Sequence, residues 1–270
     1  MSNSKTILIT GAGSGFGEGV AIGLAQLGHK VIAGVQIFPQ VTPLRQKAIE
    51  LGIQDNLQVE KLDILDPYDV KFALTWDIDV FFSNAGIGEA GPVFEIPMDL
   101  VRRNFETNVF APLNLVQKFI NKWIDAGKKG KVVFTSSMGG LFTPAGFGIY
   151  VSTKHALEAI AEALHQEVKS YGIQIQTVNP GPYHTGYNET MAEEPLRWMD
   201  DAVNYTKKAD LKATFDAMLS VPEGRLDPKE MIDAMINIVP SETGKFRNVV
   251  PKAIEDMLKE NQKNAWEVTI

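Results

Sequence analysis

Short, almost unbroken apolar runs alternate along this chain with longer stretches in which apolar residues return every three or four positions. The runs are KTILIT (5–10), KVIAGV (30–35), NLQVEKLDI (56–64), IDVFFSNAG (78–86), GKVVFTSS (130–137), GIQIQTVNPG (172–181) and GKFRNVVP (244–251). Most lack the regular polar alternation of a half-exposed strand, as strands covered on both faces do. Between them, GVAIGLAQLG (19–28) reads as a helix closed by Gly28, and NFETNVFAPLNLVQ (104–117) as a longer one. Alternating strands and helices predict an α/β fold built on a parallel sheet with right-handed crossovers. No repeat, low-complexity tract or long linker divides residues 1–270, so one domain is the simplest partition. Residues 183–228 break the rhythm, being far more than one crossover needs, and insertions of that length are usually functional. Beyond Pro251 the chain reads as a short polar helix or tail.

Composition narrows the classes. The 270 residues can bury a sizeable core, and 44% hydrophobic against 22% charged residues describes an ordinary globular protein. A net charge of −7 speaks against a surface that tracks nucleic-acid phosphates. With no cysteine, disulfides, thiolate metal sites and cysteine nucleophiles are excluded together, which fits a reducing compartment. Four scattered histidines give no metal signature. No apolar leader precedes the first strand, and no run approaches the roughly 20 apolar residues of a membrane span. The expectation is a cytoplasmic protein with no nucleic-acid or membrane partner and no metal.

Two local patterns carry chemistry. TGAGSGFG (10–17) follows the first strand and opens the first helix, where glycines allow a tight turn and free N–H groups favour a phosphate. The strict G-x-G-x-x-G is absent, because its last position falls on Phe16, Glu18 or Val20; T-G-x-x-x-G-x-G fits instead. A glycine-rich turn with no ligand is the plainer alternative. Farther on, Tyr150 and Lys154 are four residues apart, one above the other on a helix face. A phenol with a pKa of about 10 becomes a better acid–base group at neutral pH beside a positive charge. An exposed tyrosine and a solvated lysine would show the same spacing.

With NAG at 84–86 between them, these motifs resemble the short, single-domain branch of the short-chain dehydrogenase/reductase family over about residues 5–251. The resemblance implies a Rossmann-type, doubly wound seven-stranded parallel sheet with helices on both faces. It also implies an NAD or NADP cofactor and hydride exchange between an alcohol and a carbonyl. Its catalytic set maps onto Tyr150 as acid–base, Lys154 as electrostatic partner and ribose ligand, Ser137 and Asn108. Ser137 is chosen over Ser136 because the family's serine commonly stands thirteen residues before the tyrosine. The chemistry asks for such a donor, since hydride reaching a ketone carbon leaves charge on oxygen. A serine at a strand end also serves as a turn or cap hydroxyl. In the family the asparagine's main-chain carbonyl holds a water that relays protons to the lysine. Pro112, which has no N–H, is expected to free the Asn108 carbonyl and kink the helix there. A kink for packing alone is the alternative.

Cofactor contacts implied by the resemblance are Gly11, Ser14, Gly15, Phe16 and Gly17 in the glycine turn, Gln36 after the second strand, and Asp63 beside the adenine. Asn84, Ala85 and Gly86 would line the adenosine ribose, with Tyr150, Lys154 and then Pro180, Gly181, Tyr183 and Thr185 around the nicotinamide. A glycine–proline turn explains the last string equally well on local grounds. Val35 occupies the position of the acid that holds a ribose 2′-OH, and Ser14 that of a base that holds a 2′-phosphate. The missing acid tips the expectation marginally to NADP, with Arg45 as a base that could reach round. Met138, Phe142, Phe147 and His184 in flanking loops point to a medium-sized, largely apolar ketone or secondary alcohol as the small-molecule partner. Trp198, Met199, Val203, Phe215, Met218 and Leu219 of the insertion would cover it, pack on the body, or both. The family usually forms homodimers or homotetramers through the helices near 100–124 and 150–170. A non-catalytic cofactor sensor, and an epimerase or dehydratase of the family's longer branch, are the competing readings. The intact Tyr–Lys–Ser set opposes the first; chain length and the glycine spacing oppose the second.

Overall fold

In the computed structural model, which describes residues 4–220 and 225–269, all seven apolar runs become strands. They are β1 (Thr6–Thr10), β2 (Lys30–Val35), β3 (Leu57–Lys61), β4 (Val80–Ser83), β5 (Lys131–Thr135), β6 (Gln174–Pro180) and β7 (Arg247–Val250). Every pairing is parallel and the order is β3-β2-β1-β4-β5-β6-β7, the doubly wound sheet expected. The helices are α1 (Gly15–Gln26), α2 (Phe38–Glu50), α3 (Pro67–Ala73), α4 (Met98–Phe105), α5 (Ala111–Asp125) and α6 (Gly148–Glu167). They continue as α7 (Tyr187–Glu193), α8 (Pro195–Trp198), α9 (Lys208–Ser220), α10 (Pro228–Ile238) and α11 (Lys252–Asn264).

Successive strand residues face opposite sides of the sheet, so each strand feeds two cores. Ile7 and Ile9 of β1 pack with Leu24, Leu44 and Met235 from α1, α2 and α10. Leu8 between them packs with Phe81, Phe119 and Leu157 under α5 and α6. Each such buried side chain contributes about 1.5–3 kcal/mol, which explains the near-continuous apolar runs.

Helix α1 begins at Gly15, earlier than its apolar pattern suggests, because the glycine turn itself supplies the first helical turn. It ends as expected at Gly28 (φ +86°), whose N–H donates to the Ala25 carbonyl while that of His29 donates to Leu24. The long helix is continuous through α4 and α5 but contains a π turn at Glu106–Phe110, where the Ala111 N–H donates to the Glu106 carbonyl. The irregularity expected at Pro112 thus falls one turn earlier, as a π turn. The π turn resets the register, so Pro112 falls in the first turn of α5, where an N–H is not required.

The 183–228 insertion folds into α7, α8 and α9, burying Met191, Met199, Leu211 and Phe215 against Ala90, Tyr150 and Val151. Val203, expected on its apolar face, is 76% exposed, and Met218 is also exposed, since both lie on the outer side. The N-terminal stretch read for a leader includes residues 1–3 and the insertion includes 221–224, which lie outside the described residues. Among the described residues no helix is long and apolar enough to cross a membrane, and no three His, Asp or Glu side chains gather as a metal site.

Candidate active site

The strand order reverses between β1 and β4, and open α/β sheets hold ligands in the crevice beyond the strand ends at such a point. A cavity of about 820 Å³ lies there. One end is built from backbone. Gly11 has φ +67°, and a Cβ on it would lie 2.8 Å from the Ala85 Cα; one on Gly17 would lie 2.3 Å from the Gly11 carbonyl oxygen. The turn therefore closes only with glycines at both places. Gly15, at φ +56°, would place a Cβ no nearer than 3.9 Å to Thr185, so that side stands open. The first N–H groups of α1 have no intrahelical partners, and Ser14 at its N-cap makes no side-chain cap bond. Together they form a cradle that fits the diphosphate of a dinucleotide.

Asn84 fixes the floor of this half. Its Nδ2 donates to the carbonyls of Thr10 (3.1 Å) and Gly11 (3.3 Å), and its Oδ1 accepts from the Thr135 hydroxyl (3.1 Å). The Thr10 hydroxyl accepts the N–H groups of Asn84 and Ala85 at 3.1 and 3.2 Å. β1, β4 and β5 are thereby tied together where they meet the turn.

The next group stands at the end of β5 and on α6. Tyr150 and Lys154 are both buried, with the Lys154 Nζ 5.7 Å from the Tyr150 ring centroid and donating to the Thr135 carbonyl at 2.9 Å. Burial pushes the Lys154 pKa down to about 8 against the opposing pull of Glu158. Lys154 is expected from the sequence to lower the phenol's pKa. In the structure burial pushes the Tyr150 pKa up, opposed by the facing hydroxyls of Ser137 and Tyr187. Ser137 Oγ also accepts the Gly139 N–H at 3.0 Å. Its carbonyl accepts from Asn179 Nδ2 at 3.1 Å. Asn179 in turn donates to Glu158 Oε1 at 2.6 Å, and Arg247 Nε donates to Glu158 Oε2 at 2.9 Å.

A family model described as short chain dehydrogenase matches residues 5–196, which contain all of these residues except Arg247. The chain belongs to the short-chain dehydrogenase/reductase family. It is 33% identical over 188 residues to the uncharacterized oxidoreductase YusZ of Bacillus subtilis (strain 168), covering 68% of this chain and 66% of that protein. It is 31% identical over 207 residues to the uncharacterized oxidoreductase YbbO of Escherichia coli (strain K12), covering 75% and 76%. It superposes on a crystal structure of a short-chain dehydrogenase from Streptomyces avermitilis with a TM-score of 0.79. That match is 25% identical and covers 99% of this chain and 95% of the other. Both curated relatives are described as oxidoreductases, and the family binds NAD(P).

As a short-chain dehydrogenase/reductase, the protein brings most of the expected residues to one cavity. Gly11, Ser14, Gly15, Phe16, Gln36, Asp63, Asn84, Ala85, Gly86, Pro180, Gly181, Tyr183 and Thr185 line it together with Ser137, Tyr150 and Lys154. Gly17 and Asn108 do not. Gly17 is buried behind the turn, where its role is close packing. The Asn108 side chain locks the π turn to the loop after β4: its Oδ1 accepts the Ile87 N–H at 2.8 Å, and its Nδ2 donates to the Ile87 carbonyl at 2.7 Å. The Tyr183 hydroxyl donates to Glu230 at 3.1 Å, and burial pushes its pKa up. Arg45 does not reach round to Gln36: its Nη2 donates to the Val59 carbonyl at 2.6 Å.

The four expected substrate residues stand outside the lining. His184 is exposed and pairs with Glu189 at 3.2 Å, while Phe147 stacks on Phe215 with centroids 4.7 Å apart. Met138 and Phe142 are half-buried beside the short turn under α6. Local packing claims these side chains, so their proximity in sequence misleads. Ile87, Glu89, Arg103, Thr107, Tyr187 and Met191 line that end instead, a set that mixes apolar and charged side chains. Glu89 was detectable as the one charged residue in NAGIGEAGPVF (84–94). Thr107 and Tyr187 carry no comparable signal.

Proposed function

We propose that this protein exchanges a hydride between a nicotinamide cofactor and a ketone or secondary alcohol, with Tyr150 as the proton donor and acceptor. The observation that carries this reading is the buried Tyr150 oxygen, faced by the Ser137 hydroxyl and backed by Lys154, in the same cavity as the glycine cradle. Bound there, the cofactor supplies or takes up the hydride. The chain's own residues do the rest. In reduction Ser137 donates to the carbonyl oxygen, and Tyr150 gives that oxygen its proton as charge develops. The Lys154 ammonium stabilises the phenolate left behind, and the reverse sequence serves oxidation. The Asn108 main-chain carbonyl, in the irregular helix before Pro112, is the proposed anchor for a water that relays to Lys154 the proton that restores Tyr150.

Cofactor choice is read as weak. Val35 leaves the acid position without a group for a 2′-OH, Gln36 beside it offers an amide, and Arg45, the candidate for a 2′-phosphate, is engaged elsewhere. NADPH keeps only the small advantage of meeting no acid.

The test is incubation with NADH or NADPH and a panel of ketones, following cofactor absorbance. Turnover is expected, and Tyr150→Phe should lower kcat by about 10³-fold with unchanged cofactor affinity by fluorescence titration. Cofactor binding without any carbonyl consumed would instead indicate a sensor. Product formed without net cofactor change would indicate an epimerase.

A further inference from the structure

The substrate end of the cavity holds a carboxylate with half its hydrogen bonding unmet. Glu89 is 1% exposed. One of its oxygens pairs with Arg103; the other, Oε2, is buried with no partner among the described residues. Thr107, one turn beyond Arg103 on the same helix, is 8% exposed, and its Oγ1 is likewise buried without a partner. All three residues line the cavity. An unmet buried acceptor costs about 1–3 kcal/mol, so two polar atoms in this state, on residues that line the cavity, favour a ligand that completes them.

This corner adjoins the reacting end. Tyr187 packs on Tyr150 with ring centroids 5.9 Å apart and an interplanar angle of 57°. The loop carrying Glu89 lies against the same phenol, since a Cβ on Gly88 would sit 3.2 Å from Tyr187 Cε1. The Tyr187 pKa is pushed up by burial first, then by Tyr150, and also by the charge of Glu89, so one phenol senses both groups.

Resting on the reaction proposed above, we infer that the substrate carries a second hydroxyl a few bonds from the reacting carbon, held by Glu89 Oε2 and Thr107 Oγ1. A hydroxyl suits both atoms: it donates to the carboxylate oxygen and accepts from the threonine. A carboxylate or ketone offers only acceptors and is repelled by Glu89. An ammonium would stand beside the Arg103 guanidinium, which already balances the charge. The substrate class is therefore a hydroxyketone, or the corresponding diol, with Ile87 and Met191 against its carbon skeleton.

The test compares three matched ketones of one chain length: a 2-alkanone, its 1-hydroxy derivative and its 4-hydroxy derivative. One hydroxy derivative should exceed the plain ketone in kcat/KM by about 100-fold or more, because a site built for a hydroxyl rejects the analogue lacking it. Glu89→Leu should collapse that ratio to within about threefold, and Thr107→Val should lower it by about tenfold. Thr107→Val keeps the side-chain shape and serves should Glu89→Leu fail to fold. A wild-type ratio near one, or a ratio that survives both substitutions, would overturn the inference and leave an ordered water as the occupant of the corner. Calorimetric binding of the matched diol and mono-alcohol to Tyr150→Phe protein with oxidised cofactor reads the same preference without turnover. Should no ketone react, the reaction assigned above fails, and the binding comparison alone decides for or against the hydroxyl subsite. Equal affinity of diol and mono-alcohol counts against it.

Discussion

Glu158 and Glu89 make an instructive pair. Both are buried, at 4% and 1% exposure, and each meets a partly exposed arginine, Arg247 or Arg103. They differ in how their second oxygen is treated. Glu158 has both oxygens occupied, by Asn179 and Arg247, and through Asn179 it braces the Ser137 carbonyl. Glu89, which lines the cavity, has one oxygen occupied and one without a partner among the described residues. A carboxylate desolvated and fully paired is part of the frame; one desolvated and half paired keeps an affinity for a donor from outside. With similar burial, the two residues differ in what is left to pair.

The contrast predicts unequal effects on stability. Glu158→Ala strands Asn179 and Arg247 and is expected to lower unfolding free energy by about 3 kcal/mol, read by urea denaturation. That figure is at the low end for a broken buried pair because the Arg247 side chain is 34% exposed and can turn to water. A loss below about 1 kcal/mol would show that Glu158 braces nothing. Glu89→Leu, by the same measurement, should change stability by no more than about 1 kcal/mol. It replaces an incompletely paired carboxylate by an apolar group, and Arg103 is more than half exposed. A loss equal to that of Glu158→Ala would erase the contrast and make Glu89 a structural brace as well.

The two halves of the cavity were unequally legible in the sequence. The cofactor half is written locally: glycines where φ is positive or a Cβ would collide, and Asn84 immediately after its strand, leave little room for another reading. Tyr150 and Lys154 share a helix face, so spacing alone brings them together. The substrate half is assembled from the loop after β4, the helix around a π turn, and the insertion. Which side chains point inward there depends on the register reset at Glu106–Phe110 and on how α7 docks, and neither has a local signature. Large apolar residues near a site are ambiguous for a physical reason. Phe147 and Phe215 gain as much from each other as from any ligand, and they chose each other.

The finest separation of the two carboxylates lies in the pH dependence of reduction. In the proposed reaction Lys154 must be charged to support the departing Tyr150 proton, and burial pushes its pKa down to about 8. The ammonium is present below that value and lost as pH rises through it. Tyr150, pushed upward by burial, stays protonated across the same range, so the alkaline limb of kcat/KM belongs to Lys154. Glu158 is the charge that holds the lysine up. Glu158→Gln should therefore move the limb to lower pH, by less than about one unit, because one opposing charge is removed while burial remains. Glu89→Gln, whose charge bears on Tyr187 and not on Lys154, should leave the limb in place. A limb that moves equally in both variants would mean that charge reaches the lysine from either carboxylate. One that moves in neither would assign the alkaline loss to a group other than Lys154.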